Sequence, residues 1–248
     1  MERVKKQANR KKPQDMHAPV SADGLELDAR RTQRLGTIEI LKNSRTPLHI
    51  IEVAERAADL ADQAIRNAIA THPPRRPIAC QEGCSWCCYK RVGTSAPEVI
   101  RIVEFLRDRL STEELQATQE RVVKRDEERQ ALRHDPWAAA RLPCSLLVDN
   151  RCSAYSVRPL TCRGYNSSDA HACELSCKSR TRVEVPVYAP QHRLTTFVLD
   201  GMRSGLTESG LSGELLELTA ALRIALTTPD ARERWLAGEA VFAPARLT

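Results

Sequence analysis

Aromatic side chains are scarce in this chain: three Trp, four Tyr and three Phe. Its core must therefore be built mainly from Leu, Ile, Val and Ala, whose burial drives folding. No apolar run approaches the roughly 18 residues of a membrane-spanning helix. The N-terminal MERVKKQANRKKPQD has no apolar stretch of the kind that directs secretion, so a cytoplasmic protein without membrane association is expected. There is no GxGxxG pattern, no P-loop and no internal repeat. No Ser–His–Asp arrangement and no acid–base pair of carboxylates stands out. Cysteine is missing from both flanks, since all nine lie between residues 80 and 177.

That confinement is the most informative feature. Cys80, Cys84, Cys87 and Cys88 fall within CQEGCSWCC, and Cys144, Cys152, Cys162, Cys173 and Cys177 follow. Core packing does not cluster thiols in this way. A metal or iron–sulfur centre does, because thiolates are soft ligands that must converge on one point. Disulfides are the competing explanation, and they need an oxidising compartment. A cytoplasmic chain keeps its thiols reduced, so its cysteine motifs read as metal-binding or catalytic.

The formal net charge is +6 over 248 residues, and most of it sits at one end. Residues 1–12 carry Arg3, Lys5, Lys6, Arg10, Lys11 and Lys12 against Glu2, which leaves the rest of the chain near neutrality. Such an arm can bind nucleic acid, but a solvated tail is expected, with residues 1–30 a disordered basic arm. The length suits one domain with extensions or two small ones. Residues 31–78 form an N-terminal helical segment, 79–180 a cysteine-cluster domain and 181–248 a C-terminal helical segment.

Ile50, Ala54, Ala57, Ala58, Ala61, Ile65 and Ala68 recur at helical spacing and predict a helix over 47–70, stopped by HPPRRP. Ser95 to Glu98 and Ser111 to Glu114 each have the form of a capping box, and they open two helices of a hairpin. The first carries Val99, Ile102, Val103, Leu106 and Leu110. SLLVDNRCSAY reads as a short β-hairpin turning at Asp149-Asn150. Arg158-Pro159 then presents Cys162 on a turn or short helix. Val183, Val185 and Val187 alternate as an edge strand limited by Pro186. A helical stripe is expected at Leu211, Leu215, Leu218, Leu222 and Ala225, with a last helix from Thr228-Pro229 around Trp235. The expected fold is mainly α with a small irregular β element, a cysteine-rich metal-binding core flanked by helices.

Cys84-x2-Cys87 is the spacing of a metal knuckle, whose tight turn aims two thiolates at one ion. Adjacent cysteines such as Cys87 and Cys88 rarely share one tetrahedral ion, and nine thiols exceed what one zinc can use. A cluster or two metals is favoured. Cys80-x3-Cys84-x-Trp86-Cys87 also has the CxxxCxΦC form by which radical S-adenosylmethionine enzymes hold a four-iron cluster through three cysteines. Those enzymes surround the site with a repeated βα barrel, and no such alternation occurs here.

These residues resemble a known family, the zinc- or iron-chelating cysteine-cluster domains (CxxxCxxCC, YkgJ-type). In the second half of the family pattern, this chain supplies Cys144, Leu147, Cys152, Tyr155, Arg158, Pro159, Cys162 and Arg163. The resemblance covers about residues 80–165 and implies zinc or iron–sulfur binding by Cys80, Cys84, Cys87, Cys88, Cys144, Cys152 and Cys162. Flagellin lysine N-methylases are relatives of that family. Methyl transfer to protein lysines, with S-adenosylmethionine as cofactor and a protein as substrate, is thus a candidate chemistry. The alternative is a structural zinc module presenting a surface to a protein or nucleic acid.

A thiolate-bound centre would carry net negative charge. Arg158 and Arg163, which flank Cys162, would offset it or grip a cofactor carboxylate or phosphate in bidentate fashion. Pairing with local carboxylates is their other use. His171, in HAC-x3-C, is a further candidate ligand, while the other histidines read as surface or helix residues. Trp86, Tyr89, Tyr155 and Tyr165 lie within three residues of a cysteine, where they could shield a metal centre or simply fill space.

Overall fold

The computed structural model describes residues 22–81, 83–135, 141–179 and 183–247. The basic arm, residues 1–12, lies outside them. Helix α1 (Ala22–Leu41) already begins at residue 22, so the irregular stretch expected to reach residue 30 is corrected from there on. Helix α2 (Pro47–Thr71) starts at the Thr46 cap with Pro47 in its first turn and stops at His72-Pro73, as its apolar spacing and the proline block predicted.

The two capping boxes open α3 (Ala96–Arg109) and α4 (Thr112–Ala131), giving the expected hairpin between the two cysteine groups. Helices α5 (Leu160–Gly164) and α6 (Ala170–Lys178) are short and carry Cys162, Cys173 and Cys177. Helix α7 (Ala189–Glu208) returns to the core, followed by α8 (Leu218–Thr227) and α9 (Ala231–Leu236).

Buried Ile50, Val53, Ala57 and Ala61 of α2 share one apolar core with Val99, Ile102 and Leu106 of α3. Val198, Met202 and Leu206 of α7, with Leu218 and Leu222 of α8, complete it. Aliphatic residues dominate this core, as the scarcity of aromatics requires; Trp235 and Phe242 are the large rings in it. Helices α1 and α7 approach closely because α7 offers glycine at the crossing. A Cβ on Gly201 would lie 2.3 Å from the Arg30 carbonyl oxygen, and one on Gly205 2.6 Å from Thr37 Cβ.

Two small antiparallel pairs complete the fold. β1 (Gly93–Thr94) pairs with β4 (Leu216–Glu217), tying the end of the first cysteine loop to the start of α8. β2 (Leu147–Val148) pairs with β3 (Arg151–Cys152), with Leu147 opposite Cys152. The turn between them falls at Asp149 and Asn150, where φ is 48° and 60°, so the hairpin sits where the sequence placed it.

Three expectations are corrected. Val183, Val185 and Val187 lie outside any strand. Leu211 and Leu215 precede α8, because the chain passes through Gly210 (φ 75°) and pairs Leu216 in β4 before the helix can start. The last helix begins at Ala231, after Asp230 in the left-handed region, not at Thr228-Pro229.

Candidate metal centre

The first cysteine loop is irregular for identifiable reasons. Pro77 bars a continued helix, and Gly83 adopts φ 86°, which side chains resist. The Cys84 N–H bonds back to the Gln81 carbonyl at 3.1 Å, and a 3-10 turn (Trp86–Tyr89) follows. Two backbone bonds stitch this loop to later parts of the chain. Cys144 N–H donates to the Cys88 carbonyl at 2.7 Å, and Ala79 N–H to the Ser167 carbonyl at 2.7 Å.

The outcome is a cavity of about 400 Å³ lined by Cys80, Cys84, Cys87, Cys88, Cys144, Cys152 and Cys162. These are the seven thiols that the sequence pattern singled out, brought together from the loop, the β2–β3 hairpin and α5. All nine cysteines are free thiols. Cys144, Cys152 and Cys162 pack against the apolar core, whereas Cys80 is exposed. Among the described residues, no three His, Cys, Asp or Glu side chains are gathered closely enough to hold an ion as they stand. The thiols share one chamber without meeting at one point.

Burial sets their protonation. It pushes the Cys144 thiol up to about 11 and the Cys162 thiol well above its ordinary value. Cys80 and Cys152 are raised by the same desolvation, partly offset by backbone N–H groups of Ser167 and Ala154. The Ser167 N–H reaches Cys80 Sγ at 3.3 Å. Cys87 runs the other way: a hydrogen bond from the Cys88 thiol lowers it, aided by the charges of Arg158 and Lys90. The same bond raises Cys88. Burial also pushes the Tyr165 phenol up to about 12.

Arg158 and Arg163 have different settings. Arg158 lines the thiol cavity with its guanidinium 4.1 Å from the Tyr155 ring, and its buried Nε has no hydrogen-bond partner. Arg163 is buried and fully engaged. It donates to Asp62 Oδ2 at 2.6 Å and to the carbonyls of Ser156 and Arg158 at 2.9 and 3.1 Å. Arg163 does not line the cavity. His171 is exposed on α6, 3.9 Å from Glu174, and lines neither cavity at the cysteine loop.

A second, larger cavity of about 820 Å³ shares Cys80, Cys84 and Cys87 with the first and adds Cys173 and Cys177. It also meets His192, whose place on α7 gives it no local motif by which sequence could have marked it.

The donor set fits a thiolate-bound metal. Seven cysteines line one chamber, a backbone N–H points at Cys80 Sγ, and Arg158 brings positive charge to the same lining. Residues 79–181 match the family model described as a zinc- or iron-chelating domain, CxxCxxCC. This chain has three residues, not two, between the first pair of cysteines. No curated protein and no solved structure matches the chain. Among the described residues, no helix is long and apolar enough to cross a membrane.

Proposed function

We propose that the seven-thiol chamber binds zinc or an iron–sulfur centre, and that the protein works through that centre in the reducing cytoplasm. The observation carrying this reading is the convergence on one cavity of cysteines separated by the whole α3–α4 hairpin. Nine free thiols support a multinuclear centre over a single zinc ion. When bound, an iron–sulfur centre supplies a redox-active or Lewis-acidic iron. The chain's own contribution is to bring the sulfurs to one chamber, to favour the thiolate at Cys87 through Cys88, Arg158 and Lys90, and to line the chamber with Arg158.

In the finer form of this proposal, Cys80, Cys84 and Cys87 are the principal ligands of a cluster with one open iron. The protein would then support group transfer such as lysine methylation on a partner protein, with S-adenosylmethionine as donor. The CxxxCxΦC spacing and the family resemblance support it.

The test is anaerobic purification with measurement of iron, zinc, acid-labile sulfide and the visible spectrum. Iron and sulfide in similar amounts establish a cluster. Stoichiometric zinc without sulfide turns the reading toward a structural zinc module. Absence of both metals, or full retention in a Cys152→Ser/Cys162→Ser double variant, overturns it.

A further inference from the structure

The larger cavity differs in chemistry from the thiol chamber beside it. Trp86, Tyr89 and Tyr165 supply flat aromatic faces, and Val183, Val185 and Val187 an aliphatic wall. Every second residue from Val183 to Val187 lines the cavity, and the intervening Glu184 and Pro186 do not. The side chains in the lining able to carry positive charge are Lys90, Arg141 and His192, and no carboxylate among the described residues lines it. Outside the lining, the Lys178 ammonium lies 5.1 Å from the centre of the Trp86 ring and is paired with Glu174 at 2.5 Å. A volume of about 820 Å³ is in the range of small-molecule sites, which are mostly apolar with a few placed polar groups.

We propose that this cavity is a ligand cleft that takes a small molecule with a flat aromatic body and one anionic group, a carboxylate or a phosphate. The rings and valines cover the flat body, while Lys90 attracts the anion and Arg141, which donates to the Ser179 carbonyl, adds positive potential. Among the described residues, a cationic ligand of the same shape finds no carboxylate in the lining. Because Cys80, Cys84 and Cys87 line both cavities, a ligand here lies against the same loop that faces the thiol chamber. The use of the cleft in catalysis rests on the metal reading above; the binding does not.

The test is calorimetric titration of the protein as purified, under anaerobic conditions, with two matched sets of probes. One is 2-naphthoate against 2-naphthylmethylammonium, and the other is adenosine monophosphate against adenosine. Either anion should bind about tenfold or more tightly than its partner. The pair showing the difference identifies carboxylate or phosphate as the anionic group. Lys90→Glu, at an exposed position, should weaken the anion about tenfold or more. Val185→Trp should block binding, with a Trp86→Phe variant losing the accompanying fluorescence quench. Equal binding of anion and partner in both sets, or anion binding unchanged in both Lys90→Glu and Val185→Trp, overturns the proposal. Metal and sulfide are assayed on the same samples. Anion binding without metal leaves the cleft standing and the centre refuted; metal without anion binding does the reverse.

Discussion

The Glu98 carboxylate accepts the backbone N–H of Leu160 at 2.7 Å, across 62 residues of chain. Its other oxygen accepts from Ser95 N and Oγ at 2.8 and 2.9 Å and from Thr94 Oγ1 at 3.1 Å. One buried side chain therefore caps α3 and holds the first residue of α5, two residues before Cys162. Glu98→Ala would strand these donors away from water and should cost about 3 kcal/mol of stability. Thermal denaturation of the metal-free protein would measure this. Glu98→Gln keeps the volume but sets an amide donor against other donors, so it should also destabilise, by about 1–3 kcal/mol. An unchanged melting temperature in both would show that the clamp is not holding α5.

Arg163 offers a contrast between support and ligand contact. Its fork spans Asp62 on α2 and two carbonyls beside α5. Lysine cannot reproduce that geometry, so Arg163→Lys should lose about 2 kcal/mol in chemical denaturation. Metal stoichiometry should be retained at low temperature. Loss of cofactor affinity with full stability would instead place Arg163 in direct contact with a bound group.

In the reduced, metal-free protein, Cys87 should alkylate before Cys144 and Cys162 at neutral pH. Its thiol is held below the usual range by Cys88, Arg158 and Lys90, whereas burial raises the other two. Peptide mapping after brief iodoacetamide treatment gives the order directly. Metal binding should protect all three, and loading should grow steeper with pH because the raised thiols must release protons to become ligands.

Glu217 is buried beside the thiol chamber and caps α8 by accepting the Ala220 N–H at 2.9 Å. Burial raises its carboxyl above the ordinary value. A folded-state value above the unfolded one means stability that is present at low pH and lost as pH rises through the folded value. At pH 7 the charge is therefore a net cost to the fold. Glu217→Gln keeps an acceptor for Ala220 without the charge and should match or exceed wild-type stability at that pH. Glu217→Ala loses the cap and should fall by about 1 kcal/mol. Paired melts at pH 5 and 7 test the sign: the advantage of Gln over Glu should shrink at pH 5.

Removing metal should leave the helices in place. The apolar core is built by α2, α3, α7 and α8, with the thiol chamber at its edge. Chelation should barely change far-ultraviolet circular dichroism, while hydrogen exchange rises across residues 79–90 and 144–165. Collapse of the helical signal on chelation would show that metal organises the whole fold.

The elements whose signals are local could be read from sequence. The proline stop of α2 at HPPRRP, the two capping boxes and the Asp149-Asn150 turn each need only neighbouring residues, and each formed as expected. The seven thiols that share a chamber are those that the family resemblance implied. Long-range packing hid the rest. Helix α1 carries Arg30, Arg31 and Arg34 and buries Glu26, Gln33 and Thr37 beside Ala29 and Leu41, so it reads as polar until α7 covers it. The stripe through Leu211 and Leu215 obeys helical spacing, yet the pairing of Leu216 with Thr94 takes that segment into a strand. Nothing local distinguishes Arg158 from Arg163. Asp62, a hundred residues earlier, occupies one of them, while the other is left beside the thiols.

The stitch from Cys144 N–H to the Cys88 carbonyl also has a consequence in time. A ribosome releases Cys80 to Cys88 several seconds before the residues around Cys144 and Cys162 can reach them. Through that interval the first four thiols stand without the second wall of their chamber. On the metal reading proposed above, full loading would await the later half of the chain, and a nascent or truncated product ending in α4 would carry the first four thiols without Cys144, Cys152 and Cys162.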